Sequence, residues 1–148
     1  MPGVPAVPTP GLIDGVRRVL GSGGALASVL DGFEPRASQQ QMAEAVARLV
    51  TDSGVLLAEA GTGTGKTLAY LVPAILSGRK VLVSTGTRNL QQQLIDKDVP
   101  LLQRALGPFR ASCMKGRGKR SRDQVGNAIH LRLAHAARRD RGRADSDP

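Results

Sequence analysis

The chain has 148 residues, 41% of them hydrophobic, and a net charge of +9. The length suits one domain, and with only Phe33, Tyr70 and Phe109 aromatic its core must be aliphatic. The single cysteine, Cys113, excludes an internal disulfide and an all-cysteine metal site built by this chain alone, and no apolar run reaches the ~20 residues that would span a bilayer.

Residues 1–11, MPGVPAVPTPG, hold four prolines in the first ten positions and read as a disordered arm. They lack a basic patch followed by an apolar stretch, so no secretory signal is expected here. With the lone cysteine, this favours the cytoplasm and no membrane partner. LIDGVRRVL then predicts a short helix with Leu12, Val16, Val19 and Leu20 on one side. GSGG is a turn, and ALASVLDG predicts a second short helix. In FEPRASQQQMAEAVARLVTDSG, Ser38 and Gln41 have the spacing of a capping box. Met42, Val46, Leu49 and Val50 recur at helical intervals, which predicts an amphipathic helix ending near Ser53 and Gly54.

From there strands and helices alternate. GVLLA (54–58) predicts a short buried strand, followed by a glycine loop and a helix from Lys66 to about Leu76. KVLVST (80–85) predicts a second strand, NLQQQLIDKD and VPLLQRALG predict helix, and FRASCM (109–114) predicts a third strand. Such alternation implies an α/β fold with a parallel sheet flanked by helices. Beyond Lys115 the pattern degrades. Ile129, Leu131 and Leu133 suggest a short helical phase, and the remainder is charge and small residues without a packed structure. Three parts result: an arm (1–11), a domain (12–118) and a basic, disordered tail (119–148).

The charge is unevenly placed. Residues 1–109 carry ten Lys/Arg against eight Asp/Glu, and residues 110–148 carry eleven against four. Clustered basic charge suits a polyanion such as nucleic acid. A solvated tail of the same composition is the other reading.

AGTGTGKT, residues 60–67, fits the phosphate-loop pattern [AG]-x-x-x-x-G-K-[ST]. Gly61, Gly63 and Gly65 let the backbone curl and approach another group closely. Main-chain N–H groups from about Gly61 to Thr67 would cradle phosphates, within a nucleotide-binding loop of Ala60, Gly61, Thr62, Gly63, Thr64, Gly65, Lys66 and Thr67. Lys66 would set its ammonium against the β- and γ-phosphates, and Thr67 would offer a hydroxyl to Mg²⁺. The helix that begins here adds its partial positive charge. An apolar run enters the loop and a helical pattern leaves it, as a nucleotide site requires and a plain glycine turn does not.

The stretches LGSGGALASVLDGFEPRASQQQMAEAV, EAGTGTGKTLAYLVPAI and KVLVSTGTRNLQQQLIDKDVPLL resemble the N-terminal part of DinG-type DNA helicases, of the XPD-like branch of superfamily 2. The likeness runs from about Leu20 to Gly118. It implies a partial RecA-like P-loop NTPase domain, ATP and Mg²⁺ as cofactors, and single-stranded DNA as partner. FEPRASQ resembles the family's Q motif. On that resemblance Gln39 reads adenine, with Phe33 and Arg36 flanking the pocket; from the residues alone, Gln39 could equally face solvent in a helix's first turn. STGTRNLQQQL resembles motif Ia, which implies that Thr85, Thr87 and Arg88 touch the DNA backbone. A turn with helix-capping threonines is the alternative there.

The likeness then stops. MKGRG (114–118) resembles the segment before the family's iron–sulfur cysteines, but KRSRDQ follows and no further cysteine does. The four-cysteine cluster expected from the family cannot form from Cys113 alone. No apolar strand ending in paired acids is present, so a Walker B carboxylate is missing from these residues, and hydrolysis needs one. The expectation is the N-terminal ATP-binding part of an ATP-dependent DNA helicase, unable to unwind DNA alone. The rival reading is a basic nucleic-acid-binding module with a relic P-loop, and a third is a truncated product that folds poorly.

Overall fold

The computed structural model describes residues 9–114 and 127–132. The sequence-predicted arm over 1–8, the segment 115–118 and most of the basic tail lie outside these residues.

Helix α1 (Thr9–Leu20) begins inside the predicted arm. Pro10 sits in its first turn, where a missing N–H leaves no bond unmade. Leu12, Val16, Val19 and Leu20 are buried, as their spacing predicts. The second short helix expected over residues 25–32 does not form. Overlapping turns replace it, with Ser28 N–H on the Gly24 carbonyl at 3.2 Å and Leu30 N–H on the Leu26 carbonyl at 2.9 Å. The fully buried Leu26 still anchors the segment to the core.

Helix α2 (Ala37–Asp52) starts one residue before the expected cap. Arg36 takes the capping position with extended backbone and no side-chain cap. Ser38 therefore falls in the first helical turn, and the predicted capping box is absent. The helix stops at Ser53, whose φ of 65° breaks the helical path. Arg17 of α1 clasps Glu44 of α2 in a two-pronged ion pair, at 2.7 and 3.1 Å.

The strand expected over residues 54–58 is not formed; residues 53–61 have no regular structure. Val55 is 89% and Leu57 94% exposed. A strand exists only through its neighbours' hydrogen bonds, and no described segment runs alongside this one. Helix α3 (Lys66–Leu76) follows the loop with the predicted bounds. It is buried nearly all round, through Ala69, Leu71, Val72, Pro73, Ala74 and Ile75, and it packs on α2 and α1.

Strand β1 (Val81–Thr85) leads to α4 (Arg88–Gln93), a π-turn (Leu94–Asp98) and α5 (Val99–Leu106). Strand β2 (Arg110–Met114) comes next, and β3 (Asn127–Arg132) closes the described chain. The sheet corrects the all-parallel expectation. Its order is β1-β3-β2, and β3 pairs antiparallel with both neighbours, Val83 opposite Ile129 and Cys113 opposite Ile129. β1 and β2 thus run in the same direction without touching. Where a helical phase was expected at Ile129, Leu131 and Leu133, residues 127–132 form a strand, and Leu133 lies outside the described residues. Ile129 and Leu131 are two apart, which is the repeat of a strand and not of a helix.

The fold is mixed α/β. Its core is one largely aliphatic cluster drawn from α1, α2, α3 and α5, with Leu26, Leu94 and Phe109 completing it. Among the described residues no helix is long and apolar enough to cross a membrane.

Candidate functional site

The glycine loop bends where its sequence permits. Gly63 and Gly65 take positive φ, 76° and 78°, a region that costs other L-residues energy. Gly65 is also the residue before α3, and its carbonyl accepts the first helical bond from Ala69 N–H at 3.1 Å.

The loop's carbonyls are occupied one by one by side chains. Lys66 Nζ donates to the Ala60 carbonyl. Thr64 Oγ1 donates to Gly61 at 2.9 Å. Arg36 donates to Gly63, and Gln39 Nε2 donates to Gly65 at 3.1 Å. Among the described residues the N–H groups of Gly61, Thr62, Gly63 and Gly65 have no acceptor, and that of Thr64 faces the Gly61 carbonyl across the turn at residues 62–63. The first turn of α3 adds N–H groups that helix geometry leaves unpaired. Four of the loop's acceptors are covered and most of its donors are left, which is the polarity of an anion cradle.

Gln39 is the hinge of this arrangement. It is 5% exposed. Its nitrogen is committed to Gly65, which fixes the amide's orientation, and its Oε1 is buried without a donor. Beside it opens a cavity of about 260 Å³. Phe33, Arg36, Gln39, Gly63, Gly65 and Leu68 line it. The residues expected to hold the base therefore share one hollow with Gly63 and Gly65 of the phosphate loop, while Lys66 and Thr67 are not among its lining. Sequence reasoning missed Leu30, Asp31 and Glu34, which also line it. Leu30 and Asp31 stand just before the Q-motif-like FEPRASQ and Glu34 stands within it, and that adjacency was the available signal.

Lys66 and Thr67 stand at the start of α3, both half-buried. Tyr70, one turn further on, has its phenol pushed up by burial, with the Thr67 side chain drawing it down and the charge of Asp98 adding to the rise.

The residues expected to meet DNA are placed differently from one another. Thr85 is 7% exposed, and its hydroxyl donates to the Thr87 carbonyl at 3.2 Å. Thr87 and Arg88 are exposed. Thr87 Oγ1 accepts from Leu90 N–H at 3.2 Å and caps α4. Thr85 shapes the turn from within, and only Thr87 and Arg88 present themselves to solvent.

The family model described as DEAD/DEAH box helicase matches residues 36–138. The chain is 43% identical over 103 residues to the ATP-dependent DNA helicase YoaA of Haemophilus influenzae, covering 69% of this chain and 16% of that protein. It is 49% identical over 83 residues to YoaA of Escherichia coli, covering 56% and 13% respectively. It is 49% identical over 82 residues to the ATP-dependent helicase DinG of Mycobacterium tuberculosis, covering 53% and 12%. The chain thus spans about a sixth or less of the length of these relatives. No solved structure matches it.

Proposed function

This chain belongs to the DEAD/DEAH box helicase family, and on that footing we propose that it forms the ATP-binding part of a DinG-type DNA helicase with a RecA-like core. The observation that carries this reading is the sorting of polar groups in the loop: carbonyls capped by Lys66, Thr64, Arg36 and Gln39, most amides left for an anion.

Each residue has a role in this reading. The free amides of the loop and the first turn of α3 take the phosphate oxygens. Lys66 exchanges the Ala60 carbonyl for a phosphate oxygen, a stronger acceptor because it is charged. Thr67 supplies one oxygen to Mg²⁺, whose other ligands are phosphates and water. The base lies in the cavity beside Phe33. Gln39, held by one of its two side-chain N–H groups on Gly65, offers its unpaired Oε1 as an acceptor for the exocyclic amine of adenine. Thr87 and Arg88 hold the phosphodiester backbone of single-stranded DNA. In the whole helicase, hydrolysis of the bound ATP drives movement along that strand.

Titration calorimetry of the full chain with ATP and magnesium tests the reading. Binding is expected, and Lys66→Ala should weaken it by roughly 10–100-fold, the worth of a charge-assisted bond. A folded sample that produces no heat would overturn it. The concentration of positive charge in residues 110–148 favours a second reading, a salt-sensitive nucleic-acid module. That reading requires DNA binding that falls steeply with salt and survives Lys66→Ala.

A further inference from the structure

The three-stranded sheet has one face on the core and one in solvent, and alternation along each strand sorts its residues between them. Val81, Val83 and Ala111 pack against the core, and Thr85 is buried. Their alternates Lys80, Leu82, Ser84, Arg110 and Ser112 are exposed, Leu82 by 66%. Residues directly opposite one another share a face. The register therefore sets His130 between Leu82 and Ser112, and Arg132 opposite Arg110. Lys80 stands one place before Val81, as Arg132 stands one place after its partner Leu131. One end of the open face thus carries Lys80, Arg132 and Arg110 side by side across all three strands.

Nothing in the sheet offsets this charge. The three strands hold no Asp or Glu, and the ion pairs among the described residues are made by Glu44, with Arg17 and Arg48. Like charges at opposed positions repel. The row is unfavourable for the fold alone and favourable once an anion lies across it. We propose that Lys80, Arg132 and Arg110 form a phosphate-binding strip for single-stranded nucleic acid, separate from the P-loop. The main chains of Lys80 and Arg110 are two strand spacings apart, about 10 Å, which suits successive phosphates of one chain. The next row, Leu82, His130 and Ser112, brings an apolar residue, an imidazole and a hydroxyl, residue types on which unpaired bases settle. A duplex keeps those base faces stacked inside. The strip lies before the start of β1, and Thr87 and Arg88 lie beyond its end, about 17 Å further along. A strand gripped at both places is held at two points, and the grip at the strip needs no nucleotide.

Anisotropy of a labelled oligothymidylate with the full chain, without nucleotide and across a salt series, tests the strip. A dead ATP site leaves this measurement untouched. Affinity should fall as salt rises. Lys80→Ala, Arg110→Ala and Arg132→Ala together should lower the log–log slope by about 2, at about 0.7 per phosphate contact, and weaken binding at low salt at least about tenfold. Arg18→Ala, Arg48→Ala and Arg104→Ala together remove the same charge from α1, α2 and α5 and should lower the slope by less than about 0.7. Freed of repulsion, the strip variant should melt no lower than the parent. If it does melt lower, Lys80→Gln with Arg110→Gln, which keeps long polar side chains, should still lower the slope by about 1.4. An unchanged slope in the strip variants, an equal loss in the helix variant, or a duplex bound as tightly as the single strand overturns the strip. Capture by phosphatidylserine vesicles that the strip variants abolish overturns its assignment to nucleic acid.

Discussion

The Gln39 side-chain nitrogen donates to the Gly65 carbonyl at 3.1 Å, and a Cβ on Gly65 would lie 2.1 Å from that same nitrogen. The two residues, 26 apart in sequence, fit together only because one of them has no side chain. Gly65→Ala would force Gln39 out of its seat and would strain a backbone at φ 78°. The expected cost is about 1–3 kcal/mol of stability, seen as a lowered midpoint in urea unfolding. ATP affinity should fall at least about tenfold, since a kilocalorie or two spent on the loop appears in binding.

Gln39→Leu separates base recognition from loop support. It removes the acceptor facing the cavity and the donor on Gly65 together. ATP affinity should drop by about tenfold, within the range for losing a buried hydrogen bond. The preference for ATP over GTP should shrink toward unity. Competition calorimetry with both nucleotides measures it, and an undiminished preference would remove Gln39 from base reading.

Asp98 gives a pH signature. Its carboxyl is raised by burial above the usual aspartate range. The folded state therefore holds its proton more tightly than the unfolded state. Stability from this residue is fully present below the usual carboxylate range and is lost as pH rises through the raised pKa. Asp98→Asn should raise the melting temperature at neutral pH by a few degrees and flatten the decline across mildly acidic pH. Thermal melts at a series of pH values provide the check.

Thr87 has a measurable structural duty whatever it binds. Its hydroxyl caps α4 at Leu90 N–H. Thr87→Ala should cost about 0.5–2 kcal/mol, and Thr87→Ser should cost little. If strand affinity falls in Thr87→Ala and returns in Thr87→Ser, the hydroxyl rather than the methyl is the contact.

Much of this protein was readable before its structure. α3 has the bounds that the loop and the apolar run imply, and the α1 face is the one its spacing gives. The phosphate-loop pattern singled out residues 60–67, and the structure sets Arg36 and Gln39, named by the family resemblance, on the carbonyls of Gly63 and Gly65. What was not readable depends on partners distant in sequence. GVLLA has the composition of a strand, but pairing needs a neighbour and composition does not supply one. The sheet's direction was set by β3, whose alternate apolar residues lay in a stretch dominated by charge. The duties of Arg36 and Gln39 on the loop carbonyls could not be inferred from local pattern, because they are bonds across 27 and 26 residues. Asp98 was hidden by the π-turn, since helical periodicity assumes an unbroken repeat.

The segment beside the loop has a practical consequence. Val55 and Leu57 project almost wholly into solvent, and the main chain of residues 55–59 has no hydrogen-bond partner among the described residues. Such a ribbon is a template for another copy's backbone. Self-association of the isolated chain should rise with concentration, and Val55→Lys with Leu57→Lys should relieve it without loss of melting temperature. On this expectation two side chains that contribute almost nothing to the interior, Val55 and Leu57, set the colloidal behaviour of the isolated chain.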